Sequence, residues 1–341
     1  MNHRKEGVLI LIAIYISIVV VIALRIHSDP NHYTSPDSEA YLNEAEEILS
    51  NGVGSIFDHS KLKESFTIWP IGYPLLIAGT SWVTNTSVLT SSKLLNFIFL
   101  GLLFVLLYRW FGCIAWFPAL YFFSYSTLEI YSHTWTDGAF LYFVVLLSYV
   151  VAKDLKSETK PLFFFKVFGC LSALFLLRYA GIIYFFFLGG VVLLLIQKKD
   201  FKKTVHYLAA LLLSTVFVGL YFFNNEYLTG YYFGSHRTGI VNESFFSIIL
   251  EMTQGFINEF TISRNYYFNG YNDFLYIFLT TMQMVVVYVL IKSRKLLSVP
   301  VSYNESIRLL LFSGLLYFSG MILLRFFQII TEFNYRILAP G

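Results

Sequence analysis

Asp37 follows Ser35-Pro36 at what reads as the start of a helix, and it is the residue best placed in this sequence to do chemistry. A carboxylate in a first helical turn is favoured by the helix dipole whatever its role. Held at a membrane surface, it is also placed to act as a general base. The spacing leaves both roles open. Asp137, in Thr136-Asp137-Gly138, has the same two readings, as a helix-start acid or as a group that positions an acceptor or the base. Glu129 and His133 share the short stretch before it, and Glu39 is the next acid after Asp37. His27, His59 and His236 form no ligand spacing with the acids, so no protein metal site is expected. A divalent cation bridging a carboxylate and a phosphate stays open. The chain has no G-x-G-x-x-G segment and no P-loop, so nothing argues for a nucleotide. Cys113 and Cys170 lie in apolar runs with no C-x-x-C, which reads as small apolar residues rather than a redox pair.

The element that must hold Asp37 is legible. Ser35 suits an N-cap and Pro36 the first helical position. Tyr41, Ala45, Ile48 and Leu49 recur at helical spacing, and Gly52 or Gly54 ends the run. Glu39, Asn43, Glu46 and Glu47 then point to water, which predicts a helix lying in a membrane interface. The rest of the chain supplies the membrane. Of 341 residues, 57% are hydrophobic and only 13% charged, with mean hydropathy +0.64. Soluble domains carry about 25% charge, so that class is excluded, and disorder with it. A net charge of +3 gives no argument for nucleic acid.

Apolar runs near 8–26, 89–108, 111–127, 138–152, 162–178, 180–196, 204–223, 274–291 and 307–330 predict about nine spans. The first has Arg4 and Lys5 before it, is too long for a signal peptide and has no cleavage site after it, so it reads as a signal anchor. Trp69-Pro70-Ile71-Gly72-Tyr73-Pro74 precedes only a short apolar stretch, which predicts a re-entrant or interfacial helix. With that segment not crossing, the cytoplasmic parts hold 15 of the 24 Lys and Arg and five of the 21 acids. This is a positive-inside pattern with a cytoplasmic N-terminus. Counting it as a span would put Lys198–Lys203 outside. The long outer loops are then 27–88 and 224–273, the second rich in aromatic residues suited to an interfacial belt. The expected fold is all-α, a single polytopic membrane helix bundle over 1–341.

Several motifs occur together in order. Pro36-Asp37-Ser38-x-x-Tyr41 is followed by Trp69-Pro70-x-Gly72-Tyr73-Pro74, Thr136-Asp137-Gly138 and Leu177-Arg178-Tyr179-Ala180-Gly181. Asn225-x-x-x-Thr229-Gly230, Gly234-Ser235-His236-Arg237 and Asn334-Tyr335-Arg336-Ile337-Leu338-Ala339-Pro340 complete the series. The set resembles the GT-C membrane glycosyltransferases, and within them the protein O-mannosyltransferase-like and aminoarabinose-transferase-like enzymes of glycosyltransferase family 39. Two features depart from the family pattern. Ser38 stands where many members have Glu after the Asp, and Pro340-Gly341 ends the chain where the family has further spans.

The resemblance implies transfer of a sugar from a polyprenyl-phosphate donor to a lipid, polysaccharide or protein acceptor on the outer face of the cell membrane, with inversion. In that scheme Asp37 is the general base, with Asp137 and Glu39 as further catalytic candidates. Arg336, Arg237 and Arg178 are the implied phosphate partners, with Arg264 a further candidate, and Tyr41, Tyr73 and His236 are implied to line the ligand site. No organic cofactor is implied. Two other classes compete: a transporter or flippase of lipid-linked sugar, and a non-catalytic membrane assembly partner. Transporters place ionisable groups near mid-membrane, whereas Lys93, Lys166, Arg178 and Arg325 lie near span ends.

Overall fold

The computed structural model describes residues 2–52, 69–156, 162–232, 244–249, 281, 282, 285, 288 and 304–327. The chain divides into two compact units, Met1–Arg237 and Thr238–Gly341. Every regular element among the described residues is helical. The first unit contains α1 (Asn2–Ser28), α2 (Pro36–Asn51), α3 (Gly72–Thr84) and α4 (Val88–Phe111). The short α5 (Trp116–Ala119) and α6 (Tyr125–Ser132) follow, then α7 (Asp137–Leu155), α8 (Leu162–Leu177), α9 (Ile183–Gln197) and α10 (Phe201–Thr229). The second unit contains α11 (Asn304–Phe327).

Among the described residues six helical stretches are long and apolar enough to cross a membrane: Lys5–Ser28, Val88–Ile114, Asp137–Leu155, Tyr179–Gln197, Phe201–Leu228 and Ile307–Leu324. Leu162–Leu177 is apolar but shorter. Only 28% of the most apolar window of α1 and 22% of that of α10 is buried against protein. Val205, Leu208, Leu212, Val216, Leu220 and Phe223 form an uncovered apolar stripe along α10. A helix apolar on its unpacked side requires hydrocarbon rather than water around it. The protein is therefore an all-α, multi-pass membrane helix bundle.

Side-chain contacts fix how the helices of the first unit run. The close approach of Gly7 to the Cys113 backbone ties the start of α1 to the end of α4. Midway, the Tyr15 hydroxyl donates to the Phe97 carbonyl at 3.1 Å. At the far end Arg25 pairs with Glu129 of α6. The stretch 111–127, read from sequence as one span, thus runs from one end of α1 to the other as a series of short helical pieces. Gly112, at φ +63°, breaks it from α4, and Pro118 lacks the N–H that a continuous helix needs. α7 descends beside α4, with Phe99 against Tyr142 and Trp110 against Tyr149. α8 returns to bring Arg178 to Asp137, and Lys203, on α10, bonds the Asp154 carbonyl at the opposite end.

α3 does not reach that opposite end. It begins where the Ile71 N–H donates to the Tyr221 hydroxyl at 3.3 Å. It stops at Asn85, in a left-handed conformation, immediately before the Ser87 cap of α4. At 13 residues it extends about 20 Å, short of a hydrocarbon core of about 30 Å. The Trp69–Pro74 segment therefore packs beside α2, with Tyr41 edge-on to Tyr73 (centroids 5.3 Å) and tilted against Trp69 (5.6 Å).

A Cβ on Gly72 would stand 2.6 Å from the Leu176 carbonyl oxygen, so α3 and α8 meet there only because the side chain is absent. Gly72→Ala is expected to cost about 1–3 kcal/mol through overpacking. The check is the denaturant-unfolding midpoint of the purified protein, with Gly79→Ala as the control, since nothing lies within 4 Å of that Cβ position.

Candidate functional site

The polar residues of the first unit gather where α2, the 129–137 turn and the junctions after α8 and α10 meet. Ser35 caps α2 by accepting from the Ser38 N–H at 3.3 Å, and its hydroxyl also accepts from the Trp135 indole at 2.8 Å. The residue two before Asp37 is thereby bonded to the residue two before Asp137. Trp135 is itself fixed by stacking on His133, with rings 4° from parallel and 3.9 Å apart. Asp37 is half-buried in the first turn of α2, Glu39 is exposed, and Tyr41 and Tyr73 are fully buried. Burial, then the neighbouring Tyr41 and Asp137, keeps the Tyr73 hydroxyl well above the usual phenol range.

Asp137 is completely buried and pairs with Arg178. Arg178 is presented by extended backbone between α8 and the 3₁₀ turn Tyr179–Ile182, and its guanidinium lies over the Phe140 ring at 5.8 Å. The pair is neutral overall, so Arg178 is an oriented hydrogen-bond donor whose charge is offset by Asp137.

Glu44, also on α2, is a site residue that sequence reasoning missed. It lies seven residues beyond Asp37 and three beyond Tyr41, on the same helix face. It is 2% exposed, and among the described residues neither carboxyl oxygen has a hydrogen-bond partner. Burial, and then the charge of Glu47, pushes its carboxyl up to about 9. It is therefore a neutral acid near pH 7. Its charge would be felt at Tyr179 and Tyr221, which hydrogen-bond each other and Asn225. The signal in the sequence was positional: an acid at a core-facing step of the helix.

A second network clamps the 129–137 turn. The Lys93 ammonium donates to the Ser132 carbonyl at 2.7 Å and the Tyr33 carbonyl at 3.3 Å. The Asn96 amide donates to the Tyr131 and His133 carbonyls at 3.0 and 2.7 Å, while its oxygen accepts from the Tyr73 hydroxyl at 3.4 Å. Glu129 pairs with Arg25, whose guanidinium also contacts the faces of Tyr33 and Tyr125. Burial alone would raise the Glu129 carboxyl. Hydrogen bonds from His133 and Tyr125 and the charge of Arg25 outweigh it and hold the group below its ordinary value. Arg25 and Lys93 carried no sequence signal for these contacts, because their partners lie 104 and 39 residues away.

Asp37, Tyr41, Tyr73, Asp137, Arg178 and Asn225 therefore share one end of the first unit. Arg237, His236, Arg264 and Arg336 lie outside the described residues. Among the described residues no group of three or more His, Cys, Asp or Glu could hold a metal ion. The arrangement offers a carboxylate that can take a proton, a fixed guanidinium, a neutral acid, and phenols that can hydrogen-bond a ligand. Compared with protein-family models, curated proteins and solved structures, the chain matches none.

Proposed function

We propose that the protein is a glycosyltransferase that moves a sugar from a polyprenyl-phosphate donor to an acceptor on the extracytoplasmic face. The observation that carries this reading is a convergence. The Asp37 helix, the Trp69–Tyr73 segment, Asp137, Arg178 and Asn225 come from distant parts of the sequence and meet at one end of a membrane bundle. These are the segments through which the chain resembles the family 39 enzymes.

In the proposed reaction an acceptor hydroxyl oxygen attacks the anomeric carbon as Asp37 takes its proton. The new carbon–oxygen bond forms as the bond to the lipid phosphate breaks, the electron pair leaves with the phosphate, and the anomeric configuration inverts. General-base help of this kind contributes about 10²–10⁴ in rate. Arg237 is the proposed partner of the departing phosphate, with Arg178 held in register by Asp137. A lipid-carried donor suits a face of the membrane that has no supply of nucleotide sugars, and the apolar helices offer a surface for its tail.

The test is turnover. Purified protein given a polyprenyl-phosphoryl sugar and a membrane extract as acceptor source is expected to release polyprenyl phosphate in step with new glycosylated product. A transporter would return the donor uncleaved, and that result would defeat the proposal.

The orientation proposed with this reading rests on charge. Lys153, Lys156, Lys198, Lys199, Lys202 and Lys203 stand at the end of the first unit opposite Asp37 and Asp137, which supports the reading that the lysine end faces the cytoplasm. With Cys113 and Cys170 replaced by alanine, Leu49→Cys is expected to react with an impermeant thiol reagent in intact cells. Lys199→Cys is expected to react only after permeabilisation, and the reverse pattern would invert the scheme.

A further inference from the structure

Glu44 presents a physical problem that its own fold does not solve. A carboxyl group removed from water without hydrogen bonds is costly, and folded proteins seldom leave such a group unanswered. At 2% exposure, with both oxygens unpartnered among the described residues, Glu44 is such a group. It stands on the α2 face that carries Asp37 and Tyr41, about 10 Å along the helix from Asp37. One turn before it on the same face, Tyr41 packs on Trp69 and Tyr73, and Ile71 between these donates its N–H to the Tyr221 hydroxyl, which forms a hydrogen-bonded group with Tyr179 and Asn225; the Glu44 charge acts on both tyrosines. Among the described residues the charged neighbour that acts on Glu44 is Glu47, an acid. Such surroundings repel an anion and, among the described residues, offer no cation to a phosphate. They present several donors and acceptors to an uncharged partner.

We propose that Glu44, with Tyr179, Tyr221 and Asn225, forms a subsite for a neutral, hydroxyl-bearing group, the sugar of the lipid-linked donor. This assignment rests on the glycosyltransferase reading above and deepens it. Glu44 serves there as an uncharged acid, donating one hydrogen bond to the ligand and accepting another, while the phosphate is bound elsewhere. Carboxylic acids held neutral can do both. The subsite distinguishes a sugar-bearing lipid from a bare one and contributes to binding rather than to proton transfer.

The experiment uses the full chain in lipid nanodiscs free of glycoside detergent, and two probes, polyprenyl phosphate and polyprenyl-phosphoryl-glucose. Wild type is expected to bind the glucose-bearing lipid more tightly. Glu44→Leu should weaken that binding roughly ten- to a hundredfold, the loss of one or two buried hydrogen bonds, and leave the affinity for polyprenyl phosphate unchanged. Glu44→Gln, which also donates and accepts, should stay within about threefold of wild type. Glu44→Leu should also raise the unfolding midpoint, because it removes an unanswered buried polar group. A group needed only for folding would lower it.

Equal weakening for both probes would overturn the subsite, as would no weakening for either or a lowered midpoint. Wild type binding the bare lipid with no gain from the sugar would overturn the subsite and leave the transferase reading standing. Binding of neither lipid would overturn both.

Discussion

Asp37→Asn is expected to lower sugar transfer by about 10²–10⁴-fold while the protein still inserts, folds and binds polyprenyl phosphate. The substitution keeps the shape of the side chain and its ability to accept a hydrogen bond, and removes only the capacity to take a proton. Asp37 is half-buried in the first turn of α2. The start of that helix is held in place by Ser35, which caps it and is bonded to Trp135. Loss of rate therefore reports chemistry rather than displacement. If Asp37 served only to favour the start of the helix, the change would cost about 0.3–1 kcal/mol of stability and leave turnover near normal. Retention of most of the wild-type rate would move the base to Glu39 or Asp137. Glu39 is exposed and Asp137 is sealed against Arg178. Glu39→Gln is accordingly expected to leave turnover unchanged.

The largest effect on stability is expected from Arg178→Ala. Asp137 is completely buried and Arg178 is its salt-bridge partner. Removing one partner of a buried pair leaves the other charge uncompensated, at about 3–5 kcal/mol. Asp137→Ala should cost less, because the Arg178 side chain keeps 17% of its exposure and can turn toward water. The double variant should recover much of the loss, since the two sites form one unit and their effects do not add. Denaturant unfolding of the purified proteins measures all three. A loss below about 1 kcal/mol for Arg178→Ala would show that the pair does not hold α7 to the turn after α8.

The comparison of sequence with structure separates what local rules reach from what they miss. The start of α2 was readable because Ser35 and Pro36 act within one turn. The placement of Trp69–Pro74 was readable because its two prolines and short apolar run do not suit a span. Inside α2, Glu39, Asn43 and Glu46 are exposed and Glu47 half-buried, in line with the reading that they point to water, and the departures lie elsewhere on the helix. Leu49, read as inward, is 39% exposed, and Glu44, three residues past Tyr41, is buried. Hydrophobic periodicity finds the core face of a helix but cannot recognise an acid placed on that face. The stretch 111–127 shows a different limit. Its apolar character was clear, but its division into short helices depends on the conformation at Gly112 and the missing donor at Pro118. The pairing of Arg25 with Glu129, and of Arg178 with Asp137, joins residues 104 and 41 positions apart. A single sequence carries no signal for such contacts. The Arg178 segment was noticed through its motif, and its partner emerged only from the fold.

The most direct measurement is an experimental structure of the full chain determined with polyprenyl phosphate. The phosphate is expected at the end of the first unit that holds α2, beside Asp37, with the prenyl tail running along the apolar helices. A lipid bound instead at the Lys198–Lys203 end, or a site beside Asp37 filled entirely by protein side chains, would contradict the account.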